Sequence, residues 1–392
     1  MHFDGQRACE YAKSIAYPRL SAGPGERKAG DHIISVLEDL GLEPKVHSFT
    51  YSPFPYAVVL RATLIFQVVL LFSMISVSQY NPFFGAIIAI LFIALSLKST
   101  RWSSLFEIGY DIGRVKLSRN IIVRASGTAP HTNLIFLAHY DSKSQTLPLL
   151  FRVLCYSFFY VGSLVVALLV VGGIALGSGV LPAEVLKITA LALSAMSLPL
   201  LFNFTSDRSP GALDNASGVG IVLELARNLA GSVPDSLDVS FVFTGAEEEG
   251  LAGAVKFAQE LGFTYNGRKT YCVSYDGAGA AGKLRVTSRY GIPPVRTSRE
   301  LVEVVGRFCR EQGIECDETY LPVGAGLEQT HLSYRGFEVV TVHSGKLDRA
   351  VLAIHSPDDT VEHLDAGAME RCGSVGEAVA ERLAKKGDGM YD

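Results

Sequence analysis

Phe241–Ala254 reads FVFTGAEEEGLAGA. The apolar run Val239–Phe243 has the character of a buried strand that stops at Thr244–Gly245, and a helical pattern begins near Gly250. Glu247 and Glu248 therefore stand at the end of a strand. Adjacent carboxylates on a turn point in different directions. One can hold a metal while the other takes a proton from an attacking water. The same residues would also serve as a solvated acidic turn, since a helix N-terminus favours Glu. The surrounding chain decides between the two readings.

Working outward, four more places put a ligand-type residue just past a strand or at a helix start. His139 and Asp141 follow the strand Asn133–Ala138, and Asp214 opens a helix in GALDNASGVG. Asp276 ends the strand Tyr271–Ser274, and His355 lies in AIHSPDDTVEHLD ahead of a closing helix, Ala366–Lys385. Alternating strands and helices predict an α/β fold, a mostly parallel mixed sheet sandwiched by helices. In such sheets ligands bind at the carboxyl ends of the strands, so loops far apart in sequence can meet. Two His and three carboxylates suit zinc. A carboxylate that bridges two ions allows a pair about 3.5–4 Å apart.

The 392 residues carry a net charge of −4, which gives no sign of a nucleic-acid partner. Hydrophobic residues make up 48 %, and the mean hydropathy of +0.27 reflects two blocks. Positions 62–97 contain no charged residue and are broken near the middle by Gln79-Tyr80-Asn81-Pro82. Each half approaches the roughly 17–25 residues that a helix needs to cross a bilayer. A transmembrane hairpin is expected with helices at 62–78 and 83–98. A second is expected at 154–175 and 185–204, turning at Gly177–Pro182. The chain then divides as 1–61, N-terminal part of the catalytic domain; 62–98, first hairpin; 99–152, catalytic domain; 153–205, second hairpin; and 206–392, catalytic domain.

The start, MHFDGQRACEYAKS, lacks the apolar core of a signal peptide, and the six cysteines show no CxxC spacing and read as reduced thiols. Arg61, Lys98, Arg101, Arg114, Lys116, Lys143, Arg152 and Arg208 flank the apolar blocks, whereas the far turns carry no charge. The positive-inside rule then places the catalytic domain in the cytoplasm, on a cell membrane.

HYDS (His139–Ser142), GALDNASGVG (Gly211–Gly220), GAEEEGLAGA (Gly245–Ala254), YDGAG (Tyr275–Gly279) and IHSPDDT (Ile354–Thr360) occur in this order. In this the chain resembles the M28 family of zinc peptidases, the co-catalytic aminopeptidase type, over about three quarters of its length. RLSAGPGERKAGDHI near the N-terminus is similar to that family's opening. The resemblance implies two zinc ions per chain: His139 and Asp276 on one, Glu248 and His355 on the other, and Asp214 bridging. It implies Glu247 as general base for a zinc-activated water attacking a peptide bond, Asp141 as the partner that orients His139, and Glu249 as solvated.

One departure stands out. The family's Ser-Asp-His is replaced by Gln329-Thr330-His331 ahead of Gly336. Two rival readings keep the fold: a glutaminyl-cyclase-like transferase using one zinc, and a catalytically silent receptor or scaffold. His2, His32, His47, His131, His343 and His363 match no motif and read as surface or satisfied core. Asp358 and Asp359 read as turn and cap residues.

Overall fold

The computed structural model describes residues 2–99, 109–176, 182–265, 267–322 and 326–387. Its main sheet contains β1 (Lys45–Tyr51), β2 (Lys116–Ser126), β3 (Thr132–His139), β4 (Leu237–Thr244), β5 (Lys269–Tyr275), β6 (Lys283–Tyr290), β7 (Cys316–Leu321) and β8 (Glu338–Gly345). The spatial order is β1-β2-β4-β3-β5-β8-β6-β7, with the two-residue strand Val295–Arg296 paired to β6. The central run β4-β3-β5-β8 is parallel throughout. β1, β2 and β6 pair antiparallel with their neighbours, except that β6 and β7 run parallel. The sheet is thus mixed, with its parallel part at the centre.

Strand side chains alternate between faces, so a strand covered on both sides must be apolar at every position. β3 shows this. Leu134, Phe136 and Ala138 enter one core, and Ile135 and Leu137 enter the other. The first core is closed by α1 (Gly5–Ile15), α2 (Pro24–Asp39), α7 (Ser217–Leu229), α8 (Arg299–Gln312) and α9 (Ala366–Gly387). The second is closed by the short helix Ala252–Lys256, its continuation to Leu261, and the helix Glu328–Tyr334. Phe136 stacks on Phe241 with ring centroids 5.8 Å apart. Burying each such ring contributes about 1.5–3 kcal/mol.

Four helices are long and apolar enough to cross a membrane: α3 (Pro55–Tyr80), α4 (Pro82–Ser99), α5 (Leu149–Ala175) and α6 (Ala183–Phe202). They start or end a few residues from the expected bounds, and α3 begins earlier, with a π-helical turn at Pro55–Val59. The α3–α4 turn falls at Asn81, whose Oδ1 accepts from Phe84 N (3.2 Å), with Pro82 next. Asn as cap and Pro in the first turn are a standard helix start. The residues 177–181 of the expected second turn lie outside the described residues.

The four helices share a core of Leu71, Met74, Phe92, Phe159, Val166 and Ala190, among others. Close approach needs small residues. A Cβ on Gly85 would stand 2.5 Å from Ser78 Cα. Their outer faces carry exposed apolar side chains such as Phe158, Val161 and Leu168. At the base, Arg61 of α3 donates to Leu201 O (3.0 Å) and Asn203 O (2.7 Å), joining the two hairpins.

Candidate metal centre

The parallel run β4-β3-β5-β8 sends its carboxyl ends to one edge of the sheet, and the site forms there. β3 delivers His139 and Asp141, β4 delivers Glu247–Glu249, and β5 delivers Asp276. Asp214 precedes α7, and His355 lies beyond β8. The turn after β4 is held tightly. Asn120 accepts from Gly245 N (3.2 Å) and donates to Gly253 O (2.9 Å). A Cβ on Gly253 would lie 2.2 Å from Gly245 O, so only glycine allows this approach.

All seven residues expected from the sequence meet. His139 Nε2 lies 3.2 Å from Asp214 Oδ1 and 3.8 Å from Asp276 Oδ1. His355 Nε2 lies 2.9 Å from Asp214 Oδ2 and 3.3 Å from Glu248 Oε2. Each trio, His139–Asp214–Asp276 and Asp214–Glu248–His355, offers ligand atoms within 4.8 Å of one another. Asp214 thus turns one oxygen to each histidine. Glu247 Oε2 stands 3.9 Å from His139 Nε2. Both ring nitrogens of His139 and Glu248 Oε1 are buried without a hydrogen bond. Buried polar atoms are normally paired, and nitrogen and oxygen donors of this kind are what zinc takes. The residues therefore fit zinc.

Asp141 braces the site from behind. Its oxygens accept from Glu247 N and Glu248 N (both 3.1 Å) and from Ser21 Oγ, and Oδ1 is 3.4 Å from His139 Nδ1. The N-terminal segment contributes further. Buried Arg19 donates to Tyr140 O (2.7 Å) and Gly211 O (2.8 Å), and Glu26 accepts from Ala246 N (2.9 Å). His355 sits in the left-handed region, at φ +63. A non-glycine residue there is strained and needs support from its surroundings. Gln145 N supplies some by donating to His355 O (2.9 Å).

Burial disfavours charge at every carboxylate here, and the neighbours then separate them. Burial raises the Glu247 carboxyl well above the ordinary range, and Glu248 and Asp276 reinforce it against the pull of His139. At Glu248 the burial cost is overcome by the Lys143 ammonium and by His355, which hold it down at about 2. Asp214 also falls well below the ordinary range despite burial, through His355 and His139.

Two readings change. Glu249 is not solvated: it is buried, bonded by Tyr51 Oη (2.6 Å) and Lys116 Nζ (2.7 Å). Asp359 is not an ordinary turn residue but a buried acceptor for Leu213 N (2.8 Å) and Asp214 N (3.2 Å), fixing the loop that carries Asp214. Beside Gln329-Thr330-His331, buried Glu328 accepts from Thr244 Oγ1 (2.5 Å) at the end of β4. Sequence reasoning also passed over two cations. Lys143 Nζ is 2.8 Å from Glu248 Oε2, and Arg152 Nη2 donates to His355 Nδ1 (3.1 Å). Lys143 lies two positions past Asp141, a usable signal. Arg152 reads in sequence only as a charge beside an apolar block.

The family model described as peptidase family M28 matches residues 182–380. Aminopeptidase YwaD of Bacillus subtilis is 28 % identical over 187 residues, which span 45 % of this chain and 39 % of that protein. Among solved structures, a zinc aminopeptidase from Bacillus subtilis superposes with a TM-score of 0.55 at 16 % identity, covering 97 % of this chain and 95 % of its own. A glutaminyl cyclase from Porphyromonas gingivalis gives 0.54 at 14 % identity, covering 97 % and 99 %. At these identities the structural likenesses show the fold alone, and the fold is shared by both kinds of protein.

Proposed function

The chain belongs to peptidase family M28, and on that premise we propose that it is a membrane-embedded zinc peptidase that hydrolyses peptide bonds as an aminopeptidase. The observation that carries a two-zinc site is the placement of Asp214, one oxygen toward His139 and the other toward His355. His139 and Asp276 would hold one ion, Glu248 and His355 the other, and Asp214 both. Bound zinc supplies Lewis acidity, lowering the pKa of water and polarising the scissile carbonyl.

The chain's own residues do the rest. Glu247 accepts the proton of the attacking water and returns it to the leaving amine. Lys143 keeps Glu248 ionised as a ligand. Asp141 positions the turn through Glu247 N and Glu248 N and faces the outer nitrogen of His139. The glutaminyl-cyclase-like alternative needs only one zinc, and the second trio around His355 argues for hydrolysis.

The test is Glu247→Gln. It preserves shape and removes the base, so zinc content should stay at the wild-type value while kcat falls by at least about 10²-fold, within the range of general-base catalysis. Loss of zinc, or full activity, would reverse the assignments of Glu247 and Glu248.

α3–α6 would form a four-helix cluster in the cell membrane, with the catalytic domain cytoplasmic. The support is the set of basic residues at their catalytic-domain ends and the uncharged turn at Asn81. Single cysteines at Asn81 and Arg299, probed with a membrane-impermeant thiol reagent, check the side. In intact cells only Asn81 should label, and labelling of Arg299 alone would invert the orientation.

A further inference from the structure

Arg152 lies in the first turn of α5, at the base of the second apolar hairpin. It points inward. Nη2 is 3.1 Å from His355 Nδ1, and Nε is buried with no hydrogen-bond acceptor. No carboxylate of the described residues lies within ion-pair distance of it. Lys143, the other cation at the site, is already committed to Glu248 Oε2 and to Glu248 O (3.1 Å) and rests over the Tyr56 ring. Arg152 is therefore a cation beside the candidate centre whose Nε donor is unused. Leaving a buried donor unsatisfied costs about 1–3 kcal/mol, more when it is charged.

Two further arguments indicate what it is for. A histidine bound to zinc through Nε2 carries its proton on Nδ1. That N–H would face the Arg152 N–H, donor against donor, so the present contact is incompatible with zinc on His355 and the guanidinium must find another acceptor. Charge points the same way. Two divalent ions, Lys143 and Arg152 would set six positive charges against the five carboxylates of Asp141, Asp214, Glu247, Glu248 and Asp276, leaving one positive charge in excess. Gln145, whose backbone N–H holds His355 O, also carries an Oε1 that is buried without a donor. An arginine with an unsatisfied Nε and a glutamine with an unsatisfied Oε1, both in contact with His355, suit a group bearing both a carboxylate and an N–H.

Building on the hydrolase reading above, we propose that Arg152 is a specificity-determining residue that binds the free α-carboxylate of a short peptide, so that the enzyme prefers di- and tripeptides to longer chains. The guanidinium lies one imidazole ring away from Asp214 and Glu248. An extended residue spans about 3.3–3.6 Å, so a carboxylate one or two residues past the scissile bond comes within its reach. Arginine matches a carboxylate with two parallel N–H donors, which lysine cannot do.

The experiment uses the full-length zinc-loaded protein in lipid nanodiscs. kcat/KM is measured for leucyl-leucine and leucyl-leucinamide in wild type, Arg152→Gln and Arg152→Lys. Wild type should favour the acid by about 10–100-fold, the range of a hydrogen-bonded charge. Arg152→Gln should bring the ratio near one, and Arg152→Lys should restore part of it. Calorimetry with the same two peptides in the Glu247→Gln background gives the binding ratio without turnover, and the same pattern is expected.

Equal treatment of acid and amide by wild type overturns the proposal. So does an Arg152→Gln loss that is identical for both peptides, the signature of a structural role or of an anchor to lipid phosphate. If wild type cleaves neither peptide, the hydrolase reading fails, and the binding ratio still decides the role of Arg152.

Discussion

The edge of the sheet and the outer face of α5 break opposite rules. At the ends of β3, β4, β5 and β8 the fold gathers Asp214, Glu247, Glu248 and Asp276 around two histidines, largely out of water. Along α5 it turns Phe158, Val161 and Leu168 outward. A protein alone in water would gain from neither arrangement, because clustered carboxylates repel and exposed apolar faces forgo their hydrophobic stabilisation. Cations relieve the first and a bilayer the second. Departures from local rules of this size mark functional regions. Here two departures with different remedies sit side by side, joined by the contact between Arg152 and His355.

Asp214→Ala strikes the comparison hardest. It removes the one group that faces both histidines, so activity should vanish and both zinc ions should bind weakly. Glu248→Ala and His355→Ala should first empty a single position. Elemental analysis across a chelator series distinguishes them, and loss of just one zinc from Asp214→Ala would break the bridging role.

A pair of leucines sharpens the other half. Leu168 is 59 % exposed on α5, and Leu347 is 72 % exposed in the loop after β8. Lysine at Leu168 should cost about 2.5–3.5 kcal/mol in insertion if α5 spans a membrane. Lysine at Leu347 should stay within about 0.5 kcal/mol, as for an ordinary surface change. The fraction of protein resisting alkaline extraction from membranes is the readout, and equal behaviour of the two variants would remove the distinction.

The smallest effect comes from an ordinary charge cluster far from both regions. Glu300 accepts from Lys269 Nζ (2.7 Å), Lys386 Nζ (2.5 Å) and Tyr271 Oη (2.7 Å). Burial works against its charge, but the two ammonium groups hold the carboxyl down at about 2. A carboxyl depressed in this way adds stability above its unfolded pKa of about 4.3 and loses it as the pH falls toward 2. Glu300→Gln should therefore lower stability by about 1 kcal/mol at pH 6, given the partial exposure. The gap to wild type should close below about pH 4 in thermal melts.

Much of this was legible because periodicity and strand ends carry it. The apolar run in β4, the ligand-type residues at four other element ends and the charge-free blocks can each be read without coordinates. α1 was not read: Ala8, Cys9, Ala12 and Ile15 recur at helical spacing, but they are mostly small and the segment around them is polar. β7 was missed because adjacent Asp317 and Glu318 are both exposed at the sheet edge and break the alternation expected of a strand. Glu249 and Asp359 were misjudged for one reason. A charge in a turn looks solvated until the tertiary partners that cover it, Tyr51 and Lys116 or the backbone of Leu213 and Asp214, are known. Arg152 was hidden because nothing in its neighbourhood in sequence indicates an inward direction.

The interleaving of site and helices also bears on synthesis. A ribosome releases His139 before α5 and α6, and Asp214, Glu248, Asp276 and His355 after them. The trio on Asp214, Glu248 and His355 cannot close until the segment between them has been made. At about 5–20 residues per second, that interval is on the order of ten seconds. During it the apolar helices would already be available to a translocation machine, while the trio of Asp214, Glu248 and His355 still lacks its histidine. On the proposed topology, insertion would precede completion of the site by the order of the chain itself, because His355 is made last.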